Sequence, residues 1–154
     1  MKIIVDSNIV FSAILNTKSH IGQILILGST YFDFYTVDLL KVEITKHKSK
    51  IQKITEFTDA QFEETYDLII SKIRFVDDIL ISDKSLRNAI NLTKDIDEDD
   101  TLFVALADHL KSKLWTGDKV LENGLRKLGY PNIITTTELF DIFIKKKLKR
   151  KGAL

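Results

Sequence analysis

Four acidic side chains in this 154-residue chain stand where chemistry is expected. Asp6 directly follows Ile3, Ile4 and Val5, and Asp118 follows Leu114-Trp115-Thr116-Gly117. A short, β-branched apolar run that stops at a carboxylate reads as a buried strand presenting an acid at its end. In open α/β sheets, ligands bind beyond the carboxyl ends of the strands. Asp6 and Asp118 are therefore expected to face one crevice. Each would lie beside the positive end of a following helix, which favours a carboxylate by some tenths of a kcal/mol.

The third acid comes from a run. Residues 95–100 hold five acids, interrupted by Ile96, just before an apolar helical stretch. A helix start needs one acid as a cap. The others either face water or share a cation, because clustered carboxylates raise one another's pKa. Both readings stand on the residues alone. An EF-hand is excluded: with Asp95, Asp97 and Asp99 as first ligands, the sixth position is Asp100 instead of Gly and the twelfth is Leu106 instead of Glu. Glu43, the fourth acid, reads equally as a surface residue of an amphipathic helix. No Gly-rich phosphate loop, His-Glu-x-x-His or Gly-x-Ser-x-Gly motif is present. His20, His47 and His109 share no metal-ligand spacing and read as surface or helix residues, and Trp115 reads as core.

Composition narrows the class. The hydrophobic share is 44% and the charged share 29%, ordinary for one globular domain of this length. No apolar stretch approaches a membrane span, and no signal-peptide h-region follows Lys2. With no cysteine, disulfides, thiolate metal sites and Cys nucleophiles are excluded. A cytoplasmic location is the expectation. The net charge of +1 does not announce a nucleic-acid binder. The basic block at residues 145–151 reads as a solvated tail or as a set of phosphate partners.

Periodicity supplies the elements that must position the acids. Strands are expected at 2–5, 31–36, 74–76, 114–116 and 132–135. Helices are expected at 8–15 and 21–27, ending at Gly28 and Ser29; from Asp38 to Lys50; and from a Thr58–Gln61 capping box through Ile73. Further helices are expected at 84–92, 101–110 and 120–128, and a closing helix from Glu138 is expected to be capped by Thr137. Strands alternating with helices imply crossovers, hence a mostly parallel sheet covered on both faces. One domain over 1–144 with a basic tail over 145–154 is the expected organisation.

With these residues placed, a resemblance joins them. Lys-Ile-Ile-Val-Asp-Ser-Asn-Ile-Val at residues 2–10 resembles the opening of PIN domains, where a strand ends in Asp followed by Thr or Ser and then Asn. Asp99-Asp100-Thr-Leu-Phe-Val-Ala-Leu-Ala, with Leu-Trp-Thr-Gly-Asp118 after it, resembles the second half of that fold. The interval from Asp100 to Asp118 fits the pattern better than one from Asp97 or Asp99. Glu43 matches the acid on the helix after strand two. Ser7 and Asn8 match the polar pair beside the first Asp, and Thr116 matches the hydroxyl two residues before the last. The density of acids around Asp99 and Asp100 departs from the pattern and leaves their roles divided.

The resemblance covers roughly residues 1–140. It implies a three-layer α/β/α sandwich with a central parallel sheet, and a metal-dependent endoribonuclease, often the toxin of a toxin–antitoxin pair. In such a site Mg²⁺ or Mn²⁺ is a hard cation taking oxygen ligands. Asp6 is implied as the central ligand, Asp100 and Asp118 as further ligands, Glu43 as the holder of water, and Ser7, Asn8, Asp99 and Thr116 as supports. Implied partners are an RNA substrate, a cognate antitoxin and a second copy of the chain. The apolar helices at 21–27 and 62–73 could supply a homodimer face, although core burial explains them as well. Lys41, Lys46 and Lys119 are candidate RNA contacts beside Lys48, Lys50, Arg126, Lys127 and the tail, and solvation explains their placement equally.

Other readings are an inert PIN-like module that binds RNA or protein and a Rossmann-like phosphatase or phosphotransferase. A haloacid-dehalogenase type wants a second Asp two residues after the first, where Asn8 stands. A receiver domain wants an acidic pair that Asp6 lacks, even with Asp77 or Asp78 as acceptor.

Overall fold

The first strand illustrates how the sheet arises. Ile3, Ile4 and Val5 are all fully buried, as a strand covered on both faces requires. In the computed structural model, which describes residues 1–152, this strand is the centre of one parallel sheet. The strands are β1 (Lys2–Val5), β2 (Asp33–Val37), β3 (Ile73–Val76), β4 (Lys113–Trp115) and β5 (Ile133–Ile134), in the order β3-β2-β1-β4-β5. Register is fixed by Ile4 opposite Tyr35 and Val5 opposite Trp115.

Nine α-helices connect the strands among the described residues: α1 (Ser7–Leu15), α2 (His20–Leu27), α3 (Leu39–Lys46), α4 (Lys48–Thr55), α5 (Asp59–Ile70), α6 (Asp83–Thr93), α7 (Thr101–His109), α8 (Lys119–Lys127) and α9 (Thr136–Arg150). From β1 the chain steps outward through β2 to β3, then returns across the sheet to β4. Parallel crossovers are right-handed, so steps in opposite directions put their helices on opposite faces. The result is the α/β/α sandwich. Helices α1, α2, α5 and α9 pack on one another, whereas α7 packs on β1, β2 and β4 beneath α6. The reversal of strand order between β1 and β4 opens the crevice where such folds bind ligands.

Three expectations are corrected. The helix expected to run from Asp38 to Lys50 is broken at His47, whose backbone (φ −100°, ψ 5°) leaves the helical region. The closing helix is capped by Thr135, not Thr137. The Thr135 side chain accepts from the Glu138 amide at 3.2 Å, and the Glu138 carboxylate accepts from the Thr135 amide at 3.4 Å. That capping box also cuts β5 to two residues. Residues 145–150 are the last turns of α9, not a separate tail. Residues 153–154 of the expected tail lie outside the described residues.

The apolar faces suggested for pairing are largely spent on the core. Ile24, Leu25, Phe62 and Ile69 are buried, leaving Leu27 and Leu68 as the exposed members. Gly22 is required by a close approach, since a Cβ there would lie 2.3 Å from the Thr17 carbonyl oxygen in the tight link between α1 and α2. Among the described residues no single helix is long and apolar enough to cross a membrane.

The capping assignment is directly testable by thermal denaturation. Thr135→Ala is expected to cost about 1 kcal/mol and lower Tm by roughly 2–4 °C, with Thr137→Ala nearly silent. The reverse order would contradict the assignment.

Candidate active site

Asp6 leaves β1 at the switch point and caps α1. Its backbone amide still donates to the Trp115 carbonyl across to β4, so the sheet itself sets its position. The side chain is 3% exposed. Its Oδ1 accepts from the Ser7 amide at 2.7 Å, and its Oδ2 accepts from the Thr116 hydroxyl at 2.7 Å. Thr116 is buried and is fixed in turn. Its Oγ1 accepts from Asn8 Nδ2 at 3.4 Å and from the Asp118 amide at 3.0 Å. Asn8 Oδ1 accepts from the Gly117 amide at 3.1 Å, tying the end of β4 to the start of α1. Ser7, Asn8 and Thr116 thus form one hydrogen-bonded frame around Asp6.

The other acids reach this frame from separate elements. Asp118 caps α8, accepting through Oδ1 from the amides of Val120 at 2.9 Å and Leu121 at 3.2 Å. Glu43, on α3, accepts a hydrogen bond from the Ser7 hydroxyl. Asp100 ends a short 3₁₀ turn (Glu98–Asp100) that runs straight into α7. Its Oδ2 is buried without a hydrogen-bond partner among the described residues. In the same turn, Asp97 Oδ1 accepts from the Asp99 amide at 2.9 Å, and the Asp97 and Asp99 side chains stay exposed.

All four acids line one cleft of about 300 Å³, together with Asp97, Asp99, Lys46 and His47. The sequence alone reads His47 as a surface or helix residue, and it leaves Asp97 as an alternative to Asp100 within the acidic run. His47 gains its place only through the break between α3 and α4. Of the three candidate lysines, Lys46 lines the cleft. Lys41 lies over the Phe75 ring at 4.2 Å, and Lys119 pairs with Glu122 at 3.2 Å. The basic end of α9 is remote. Arg150 lies 5.9 Å from the Tyr31 ring, just before β2 begins, at the opposite edge of the sheet from the acids.

Burial and mutual repulsion dominate the electrostatics. The carboxyl of Asp6 is pushed up to about 6, first by burial and then by the charges of Glu43 and Asp118, against the lowering effect of Thr116 and Ser7. Asp100 is pushed up to about 8 by burial and by its acidic neighbours, Asp6 first among them. Glu43 is also raised, mainly by burial. These groups resist carrying their charges together, and a divalent cation is the natural counter-charge.

The donor set fits such an ion. It is all oxygen, includes the unpartnered buried Oδ2 of Asp100, and suits Mg²⁺ or Mn²⁺. Among the described residues no three of these groups are drawn together tightly enough to hold an ion as they stand. Carboxylates that repel one another stand apart, and Mg²⁺ needs only one or two of them beside water and phosphate oxygens.

Comparison with known proteins gives the family. A family model described as "PIN domain" matches residues 4–141. The chain belongs to the PIN domain family. Among solved structures it is similar to a chain of VapBC2 from Rickettsia felis, in a complex bound to a DNA fragment from the promoter. The TM-score is 0.61 and the identity 19%, covering 88% of this chain and 97% of that one. At that identity the likeness speaks for the fold. No curated protein sequence matches the chain. In this PIN domain, the Asp6 motif and the Asp100-to-Asp118 segment both fall inside the matched span.

Because the raised acids favour their neutral forms in the folded chain, their contribution to stability is whole below the ordinary carboxylate range. It is lost as pH rises through about 6 for Asp6 and about 8 for Asp100. In EDTA, Tm is expected to fall by roughly 5 °C or more from about pH 5 to about pH 9. Asp100→Asn should flatten the upper part of that fall. A Tm that climbs across this window, or an unchanged profile in Asp100→Asn, would contradict the assignment.

Proposed function

We propose that this PIN domain is a metal-dependent endoribonuclease that hydrolyses RNA phosphodiester bonds, acting as the toxin of a toxin–antitoxin pair. The observation that carries the reading is the convergence of Asp6, Glu43, Asp100 and Asp118 on one cleft at the switch point of the sheet. The antitoxin part draws on the similarity to a chain from a VapBC2 complex. With all four acids present, nothing favours an inert module. A cytoplasmic location and pairing with a second copy belong to the same reading.

Asp6, Asp100 and Asp118 would hold Mg²⁺ or Mn²⁺. The bound ion supplies Lewis-acid charge beside the phosphodiester and makes water a better nucleophile at neutral pH. Asp6 is held in one rotamer by Ser7 and Thr116, so its oxygens do not need to reorganise during the reaction. Glu43 is oriented by the Ser7 hydroxyl and lines the same cleft as Asp6 and Asp118. From there it can accept a proton from attacking water, and its raised affinity for protons suits it to that role. Lys46 is the cation in the lining placed to meet a substrate phosphate.

Purified protein incubated with single-stranded RNA should cleave it with Mn²⁺ or Mg²⁺ and not in EDTA. Asp6→Asn should reduce the rate by about 100-fold or more. Cleavage that persists in EDTA or in Asp6→Asn would overturn the reading. On a nuclease-resistant oligonucleotide, Lys46→Gln should lower the salt-dependence slope of binding by about 1. Glutamine at Lys146, Lys149 and Arg150 should leave that slope unchanged, because α9 carries these charges about 15–20 Å from its catalytic-edge start. An effect of the α9 variants larger than that of Lys46→Gln would contradict this division.

A further inference from the structure

The acidic cleft has a neighbour of a different character. A cavity of about 220 Å³ shares Ser7, Asn8, Glu43 and His47 with it, so the two adjoin. The cavity's own walls are Phe11, Ile44 and Lys50. Phe11 is half-buried against the core, which fixes its ring. The His47 imidazole meets that ring edge to face, with centroids 5.9 Å apart and planes at 83°. The Lys50 ammonium stands 5.7 Å from the Phe11 centroid. The elements responsible are α1, which carries Phe11 one turn past Ser7 and Asn8, and the break at His47, which starts α4 and brings Lys50 over the same ring.

We propose that this cavity is a nucleobase subsite. It takes the base of a nucleotide adjoining the phosphate held in the acidic cleft, laid against Phe11, with the exposed Lys50 side chain swinging off the ring to meet the base edge beside His47. The proposal rests on the nuclease reading and adds how the RNA strand is held. Unpaired RNA is recognised by splaying bases onto aromatic and cationic side chains while their polar edges are hydrogen-bonded. Phe11 supplies the face, and His47 and Lys50 supply polar groups that a purely apolar side chain would not use. Glu43 in the shared wall disfavours a second phosphate there. Adjacency supplies the rest: successive phosphate and base positions on one strand map onto neighbouring compartments meeting at Ser7, Asn8, Glu43 and His47. A subsite of this kind biases cleavage toward unpaired RNA, because a base held in a helix cannot enter it.

The test compares wild type with Phe11→Leu, His47→Gln and Lys50→Gln in Mn²⁺. Fluorescence anisotropy measures binding of a 2′-O-methyl RNA hexamer and of the same backbone lacking bases. Wild type is expected to bind the base-bearing oligomer about tenfold more tightly than the abasic one. That advantage should fall to about threefold or less in Phe11→Leu and Lys50→Gln, with abasic binding little changed in Phe11→Leu. His47 and Lys50 are exposed, so their variants report even where Phe11→Leu disturbs packing. A base advantage of equal size in all four proteins overturns the proposal, including the case where the cavity receives a side chain from a protein partner. So does a wild type that binds neither oligomer or binds both alike. Failure of the nuclease reading shows separately, as absent Mn²⁺-dependent cleavage of unmodified RNA, and leaves the binding comparison readable.

Discussion

Repulsion among carboxylates gathered at one end of a buried sheet is the constraint on which the other features of this molecule depend. Asp6 is almost wholly buried, and Asp100 keeps an unpartnered oxygen out of water. Burying one such charge already disfavours it, and gathering several disfavours them further. A fold selected for stability alone would not collect acids from β1, α3, the turn before α7 and the start of α8 at one point. The surrounding polar groups offset that cost: Thr116, Ser7 and two helix starts donate to the acids, and Asn8 holds Thr116 in place.

The sheet makes the gathering possible. Parallel strands bring their carboxyl ends to one edge, and the reversal of order between β1 and β4 leaves that edge uncovered at a single place. The register of Val5 with Trp115 sets Asp6 beside Thr116, and the turn through Gly117 then delivers Asp118. Apolar burial on both sheet faces holds this arrangement rigidly, with Ile3, Ile4, Val5, Leu114 and Trp115 all inaccessible to water. The energy that pays for the acids comes from these residues.

Much of this was legible before any coordinates. Asp6 and Asp118 stand out because a β-branched run ending in an acid is both a strand signal and a site signal. The parallel sheet follows from the alternation of elements, and the cap of α5 from Thr58 and Gln61. Less legible were features set by contacts between distant segments. Glu43 meets Ser7 across 36 residues, and no local pattern encodes that approach. The break at His47 carries neither Gly nor Pro, so the chain reads as one helix until packing bends it. Three consecutive threonines hid the cap of α9, although the Thr135–Glu138 spacing was the available signal. The acidic run could not be apportioned by composition; the structure half-buries Asp100, with its Oδ2 out of water, and leaves Asp97 and Asp99 toward solvent. The basic block likewise gave no hint that α9 would carry it to the far edge of the sheet.

If the acids are gathered to share a cation, the cation must relieve their repulsion, and stability reports that without reference to any substrate. The most direct measurement is the melting temperature at about pH 8 as Mn²⁺ is titrated into the metal-free protein, for wild type and Asp6→Asn. Binding to the folded state alone raises stability by mass action, by about 2.7 kcal/mol at a hundredfold excess over Kd. Wild type should therefore gain roughly 5–10 °C at saturation, with a much smaller gain in Asp6→Asn. Equal gains in the two proteins, or none in either, would contradict a metal site centred on Asp6.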